Sequence, residues 1–111
     1  MRFSKHLYLS PNIRHPSVLK RRIKRGAGNL SAYVLIAPRD PDSGPQFEVM
    51  HCAFLQQRYY KETDPVIIGI AEGRWEALLL CRQIIQDVWD STGTADARAW
   101  LSDRLKDEGI L

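Results

Sequence analysis

The hydrophobic positions of the chain fall into short blocks separated by prolines and glycines. Residues 6–10, 32–37 and 47–52 are rich in β-branched and aromatic side chains and predict three strands. Residues 66–71 are apolar throughout and predict a fourth strand, buried on both faces. A proline-rich loop separates the second block from the third, so we expect these two strands to pair antiparallel.

Three further segments show helical periodicity. The first, 16–25, begins at a proline, which suits a first helical turn, and ends before Gly26, which suits a helix stop. Its apolar side carries Val18, Leu19 and Ile23. The longest, 74–89, carries an apolar face, which includes Leu78, wide enough to form the main wall of the core. The last is predicted over 94–108, with its threonine as the cap. Residues 53–64 are open between an extended strand, one helical turn and a segment lying across the sheet.

Together these elements predict one α+β domain over residues 1–111. Its sheet is small, with three to four mainly antiparallel strands, and is packed by the long helix of the C-terminal half, with a short basic N-terminal helix and a final helix. The apolar fraction of 44% suffices for one core. No apolar stretch approaches the roughly twenty residues that cross a bilayer, and residues 1–10 lack the apolar segment of a signal peptide. With two cysteines in the chain, we expect a reducing cytoplasm.

Charge is distributed unevenly along the chain. Residues 1–25 contain eight basic and no acidic residues, a net charge of +8. The remainder contains eight basic and thirteen acidic residues, a net charge of −5, and the two parts give the overall +3. This asymmetry predicts either an anionic partner or pairing between the two parts.

The cations are concentrated on the predicted N-terminal helix, which favours DNA or RNA as the partner, because phosphates bind clustered lysines and arginines. The motif Arg58-Tyr59-Tyr60-Lys61 adds aromatic rings on which bases could stack. The candidate nucleic-acid-binding residues are therefore Lys5, Arg14, Lys20, Arg21, Arg22, Lys24, Arg25, Tyr59 and Tyr60.

Two alternatives stay open beside nucleic-acid binding. The helix cations could complement the helix dipole and pair with Asp103, Asp107 and Glu108 of the last helix. The protein could also be an interaction module without nucleic-acid contact, either a homodimer or an inhibitor or regulator of another macromolecule. Such a module would use one of two apolar pairs, Trp75 with Leu79 or Trp100 with Leu101.

The sequence motifs favour a protein without catalytic or metal chemistry. The glycine-containing turn 69–73 lacks the third glycine of a dinucleotide fingerprint and the Lys-Ser/Thr of a P-loop. His51 and Cys52 are adjacent, but adjacent strand residues face opposite sides, and neither they nor Cys81 show metal-ligand spacing. We therefore expect no catalytic residues, no metal, no cofactor and no small-molecule substrate.

One segment carries a family resemblance. Residues 65–78 (Pro-Val-Ile-Ile-Gly-Ile-Ala-Glu-Gly-Arg-Trp-Glu-Ala-Leu), continuing to 84–88, resemble a segment of small uncharacterised proteins encoded on conjugative transposons of gut Firmicutes. Tyr59-Tyr60-Lys61 and an early strand followed by a basic helix are similar too, whereas the part after Asp90 lies outside the resemblance. The resemblance implies a cytoplasmic accessory protein of a mobile element, with DNA or the element's own proteins as partners, and it supplies no catalytic residues.

Overall fold

The computed structural model describes residues 1–26 and 30–110. Within them it has an α+β architecture, which confirms the predicted fold class. The strands are β1 (Arg2–Leu9), β2 (Ala32–Ile36), β3 (Glu48–His51) and β4 (Val66–Glu72); the helices are α1 (Pro16–Arg25), α2 (Arg58–Thr63), α3 (Arg74–Thr92) and α4 (Ala97–Asp107), with a 3₁₀ helix at Cys52–Gln56.

The four strands form one mixed sheet in the order β1-β4-β2-β3. Strand β4 pairs parallel with β1 and antiparallel with β2. Strand β2 pairs antiparallel with β3, which confirms the pairing expected across the proline-rich loop. Residues 66–71 of β4 are all buried, so this strand is covered on both faces. Gly69, the first residue of the glycine-containing turn predicted over 69–73, lies inside β4, where an added Cβ would come within 3.3 Å of the Tyr8 carbonyl oxygen. Its glycine is explained by this close approach of backbones.

Each face of the sheet carries its own apolar core. On one face, α3 and α4 pack on alternate strand residues, with Ala77, Leu80, Ile84, Val88, Leu101 and Leu105 buried among them. On the other face, Ile23 of α1 and Leu55 of the 3₁₀ helix cover Val34, Ile67 and Ile70. The sheet therefore separates the basic helix α1 from the long C-terminal helices.

The helix boundaries and faces differ from the predictions at several points. Asp96, not the predicted Thr94, caps α4, because its carboxylate accepts a hydrogen bond from the Arg98 N–H at 3.1 Å. Leu78 was expected on the core face of α3 but is 49% exposed. Val18 was expected on the apolar side of α1 and is 44% exposed.

Within the described residues, no helix combines the length and apolarity needed to cross a membrane.

A bulge in β1 holds a carboxylate from the far end of the chain. Residues 4–7 of β1 stand against a single residue of β4, because the register jumps between Phe3 and Tyr8. The bulge encloses Glu108, which is 8% exposed. Its carboxylate accepts hydrogen bonds from the Ser4 hydroxyl at 2.7 and 3.0 Å and from the backbone N–H groups of Lys5 at 2.6 Å and His6 at 3.2 Å.

Burial alone would raise the pKa of Glu108, but the hydrogen bonds from Ser4, Lys5 and His6 outweigh it, so its pKa lies below the ordinary 4.5. A carboxyl group whose pKa is lowered by folding stabilises the fold when ionised. Its contribution is complete above the ordinary glutamate pKa and is lost as the pH falls through the lower pKa of the folded state.

We expect Glu108→Gln to lower the free energy of unfolding by about 1–3 kcal/mol at neutral pH, the value of hydrogen bonds to a charged group. Urea denaturation from neutral to acidic pH measures this and should also show a shallower loss of stability in acid for the variant. Asp107→Asn is the matched control, because Asp107 is exposed and makes none of these hydrogen bonds. Equal behaviour of the two variants would contradict the assignment.

Candidate nucleic-acid interface

Helix α1 is anchored to the sheet along one side. Ile23 is buried at 2% exposure and Leu19 is half-buried against the same core. The ammonium groups of Lys20 and Lys24 lie 5.8 and 5.5 Å from the centre of the Phe3 ring in β1. Such cation–π contacts orient the two lysine stems along the sheet edge while the ammonium groups remain able to bind anions.

Gly26 allows the C-terminal end of α1 to approach the Gln56 side chain of the 3₁₀ helix closely. This residue adopts the left-handed conformation (φ 75°), and its N–H bonds to the carbonyl oxygens of Arg22 and Ile23. A Cβ at this position would come within 2.7 Å of the Gln56 side chain. Both the backbone conformation and the contact therefore favour glycine here.

Most cations of α1 form no ion pair with a carboxylate of the described residues. Arg21, Lys24 and Arg25 are exposed, and within residues 1–26 and 30–110 no carboxylate forms an ion pair with them or with Lys20. Arg22 is half-buried and forms contacts of its own.

The predicted pairing of α1 with the last helix is not present in the described part of the chain. Helix α4, with Asp103 and Asp107, packs on the opposite face of the sheet. Glu108 is bound by the β1 bulge instead. The helix-dipole explanation fits in part, since Arg22, Lys24 and Arg25 occupy the last turn of α1.

The cations continue beyond α1 into neighbouring elements and form what we call the basic face. Arg14, before the helix, shares a shallow cleft with Arg22 and with one carboxylate, Glu72. Beyond the other end of the helix, Lys24 and Arg25 share a second cleft with Tyr60 and Lys61 of α2. The basic face thus comprises the cations that line the clefts along α1, together with Lys20, which lies over the Phe3 ring beside Lys24. The cleft-lining cations are Arg14, Arg21, Arg22, Lys24, Arg25 and Lys61.

The two tyrosines of α2 have different environments. Tyr59 is 53% exposed, and the Arg39 guanidinium stacks 4.3 Å from its ring centre and also bonds to its hydroxyl. Tyr60 is half-buried beside the α1 core, and its hydroxyl donates to Glu48 at 3.1 Å. Burial and this hydrogen bond raise the pKa of Tyr60. Of the two, Tyr60 is the ring that borders the α1 cations.

Two outcomes differ from the predicted site. Lys5 lies in the β1 bulge, where its N–H binds Glu108, and it lines none of the three clefts along α1. Lys61, in contrast, lines the cleft with Lys24 and Arg25 although it was not among the candidates. The motif Arg58-Tyr59-Tyr60-Lys61 contained the signal, since a cation follows the tyrosine that packs near α1.

The groups considered for other chemistry have structural roles. His51 accepts a hydrogen bond from the Ala53 N–H at Nδ1 and contacts the Leu30 carbonyl oxygen at Nε2. Burial raises the pKa of the Cys52 and Cys81 thiols, which disfavours the reactive thiolate. Burial and a hydrogen bond to Asp87 raise the pKa of Tyr8 to about 12. In the part of the chain that the structure describes, no three potential metal ligands cluster.

No protein-family model, curated protein or solved structure matches the chain.

Gly26→Ala should lower the free energy of unfolding by about 1–2 kcal/mol, because alanine strains the left-handed conformation and its Cβ meets Gln56. Urea denaturation provides the measurement. Gly44→Ala is the matched control: its φ is 79°, but nothing lies within 4 Å of the added Cβ. The double variant Gly26→Ala/Gln56→Ala should recover part of the loss, and no recovery would show that Gln56 does not press on this helix end.

Proposed function

We propose that this protein binds nucleic acid through the basic face, without catalysis, as an accessory protein of a mobile genetic element. The observation that carries the proposal is the absence of acidic partners for Arg21, Lys24 and Arg25 among the described residues. Cations that are not neutralised internally retain their full attraction for an external polyanion.

The basic face suits a phosphate backbone better than a single anion. Its cations lie on α1, on the turn before α1 and on α2, so they can contact several phosphates of one strand. Each neutralised phosphate releases counterions, which makes the affinity fall steeply with salt. The mobile-element origin and a cytoplasmic location belong to the proposal as well, and they are supported by the resemblance of residues 65–78 and 84–88.

Replacement of Arg21, Lys24 and Arg25 together by glutamine should weaken binding to DNA or RNA about a hundredfold near 0.1 M salt and lower the log–log salt slope by about 2–3. Fluorescence anisotropy with labelled double-stranded DNA, single-stranded DNA and RNA over a salt series measures both quantities.

The matched control for this triple variant is Arg74→Gln with Arg82→Gln and Lys106→Gln, which removes the same charge from exposed positions on the other helices. The control should bind nearly as well as the unaltered protein. Binding that weakens equally in both variants would assign the effect to net charge rather than to the basic face, and absence of binding at about 50 mM salt would overturn the proposal.

The outer face of α3 favours a second candidate function, association with protein and without nucleic acid, as a homodimer or as an inhibitor or regulator of another macromolecule. Trp75, Leu78, Leu79 and Trp89 are 70%, 49%, 41% and 56% exposed. Exposed apolar side chains concentrated on one helix are typical of an interaction surface. The other predicted apolar pair is not available, since Leu101 is 1% exposed and Trp100 packs on the α3–α4 core.

If α3 forms a homodimer, Leu78→Gln with Leu79→Gln should shift the protein to a monomer. Sedimentation velocity over a hundredfold concentration range measures the change. Gln83→Ala, on the same helix and exposed, should leave the association unchanged. A protein that is monomeric at every concentration would rule out the homodimer.

A further inference from the structure

The cleft between the C-terminal end of α1 and α2 combines charge with an aromatic wall. It has a volume of about 460 Å³. Lys24 and Arg25 of α1 and Lys61 of α2 supply three cations, and Tyr60 and Leu55 supply apolar surface. Among the described residues that line the cleft there is no aspartate or glutamate.

The nearby carboxylates are bound by other groups. Asp64 pairs with the amino group of Met1 at 2.7 Å and with Arg2 at 3.0 Å. Glu62 pairs with Arg58 at 2.7 Å. Glu48 accepts the hydrogen bond of the Tyr60 hydroxyl. The three lysine and arginine side chains of the cleft are therefore left to an external anion.

The Tyr60 ring is prepared for a ligand before one arrives. Its hydrogen bond to Glu48 and its packing on the α1 core restrict its rotation. An edge-to-face contact with Tyr59, with ring centres 5.1 Å apart, restricts it further. Binding against this ring loses little side-chain entropy, which favours affinity.

We infer that this cleft takes one unpaired nucleotide of a nucleic-acid strand, with its phosphate bound by Lys24, Arg25 and Lys61 and its base against Tyr60. The inference rests on the proposed function and specifies its substrate class. The volume lies in the range of small-molecule sites, about 300–1,000 Å³. A base within a duplex is stacked and paired, so it cannot enter such a cleft without being extruded, whereas a base in a single-stranded overhang can.

The experiment compares two labelled DNA hairpins with the same duplex, one blunt and one with a three-nucleotide overhang. The unaltered protein should bind the overhang hairpin about tenfold more tightly in fluorescence anisotropy, the effect of one stacked base with its phosphate. Lys61→Gln, at an exposed position, should reduce this ratio toward one, because it should weaken binding of the overhang hairpin more than binding of the blunt hairpin.

Tyr60→Leu should also reduce the ratio, whereas Tyr60→Phe, which retains the ring, should preserve it. Lys61→Gln decides the question if Tyr60→Leu does not fold. A ratio near one in the unaltered protein, or an unchanged ratio in Lys61→Gln, would overturn the inference that the cleft binds an unpaired nucleotide. Either result would leave the proposal of duplex binding by the basic face intact. If the unaltered protein bound neither hairpin, both the proposed nucleic-acid binding by the basic face and the nucleotide binding in the cleft would be overturned.

Free adenosine monophosphate in hundredfold excess over the protein should not abolish the difference between the hairpins, because it lacks the additional α1 contacts that a strand makes. Abolition of the difference would assign the cleft to free nucleotides and contradict the inference.

Discussion

Burial of β4 on both faces is the constraint on which the rest of the architecture depends. A strand that is apolar on both sides must be covered twice, so helices are needed above and below the sheet. The chain places α3 and α4 on one face and α1 with the 3₁₀ helix on the other. This division puts the sheet between the cations of α1 and the carboxylates of α4, which keeps opposite charges of the same chain from neutralising each other.

The basic face is positioned by contacts that do not use its charges. Ile23 fixes the helix to the sheet, and Gly26 allows its C-terminal end to lie close to Gln56. The cations project from this anchored helix, so their spacing is set by regular backbone rather than by a loop. Functional groups carried on packed helices keep their geometry better than groups on loops. The side of the molecule facing the proposed partner is thus preformed apart from its long side chains.

Much of the fold is predictable from local pattern, and the rest depends on tertiary context. The strand over 66–71 and the helix over 16–25 are strong patterns and are confirmed. The sequence pattern does not decide the secondary structure of residues 53–64, because a 3₁₀ turn followed by the six-residue helix α2 is too short to establish a hydrophobic period. The prediction of Thr94 as the cap of α4 is wrong. Threonine and aspartate are both good caps, and only the hydrogen bond from the Arg98 N–H identifies Asp96 as the residue that caps the helix.

The candidate site, like the fold, is predictable from local pattern only in part. The cations of α1 were evident from composition, since they are adjacent in the sequence. The role of Lys61 was not evident from composition, because Lys61 lies 36 positions after Arg25 and reaches the same cleft only through the packing of α2. The exposed apolar face of α3 was also only partly anticipated: Leu78 was assigned to the core because the helix is apolar around more of its circumference than one core can cover.

The binding of Glu108 in the β1 bulge has a consequence for the lifetime of the protein in solution. This carboxylate ties the edge strand to the end of α4, across 104 residues of chain from Ser4. If the tie were released and β1 detached, one side of the apolar strand β4 would lose its hydrogen-bonding neighbour. An uncovered edge of this kind recruits strands from other molecules. The bulge therefore protects the edge of β4 against aggregation, and the strength of the hydrogen bonds to Glu108 sets how readily the native protein aggregates.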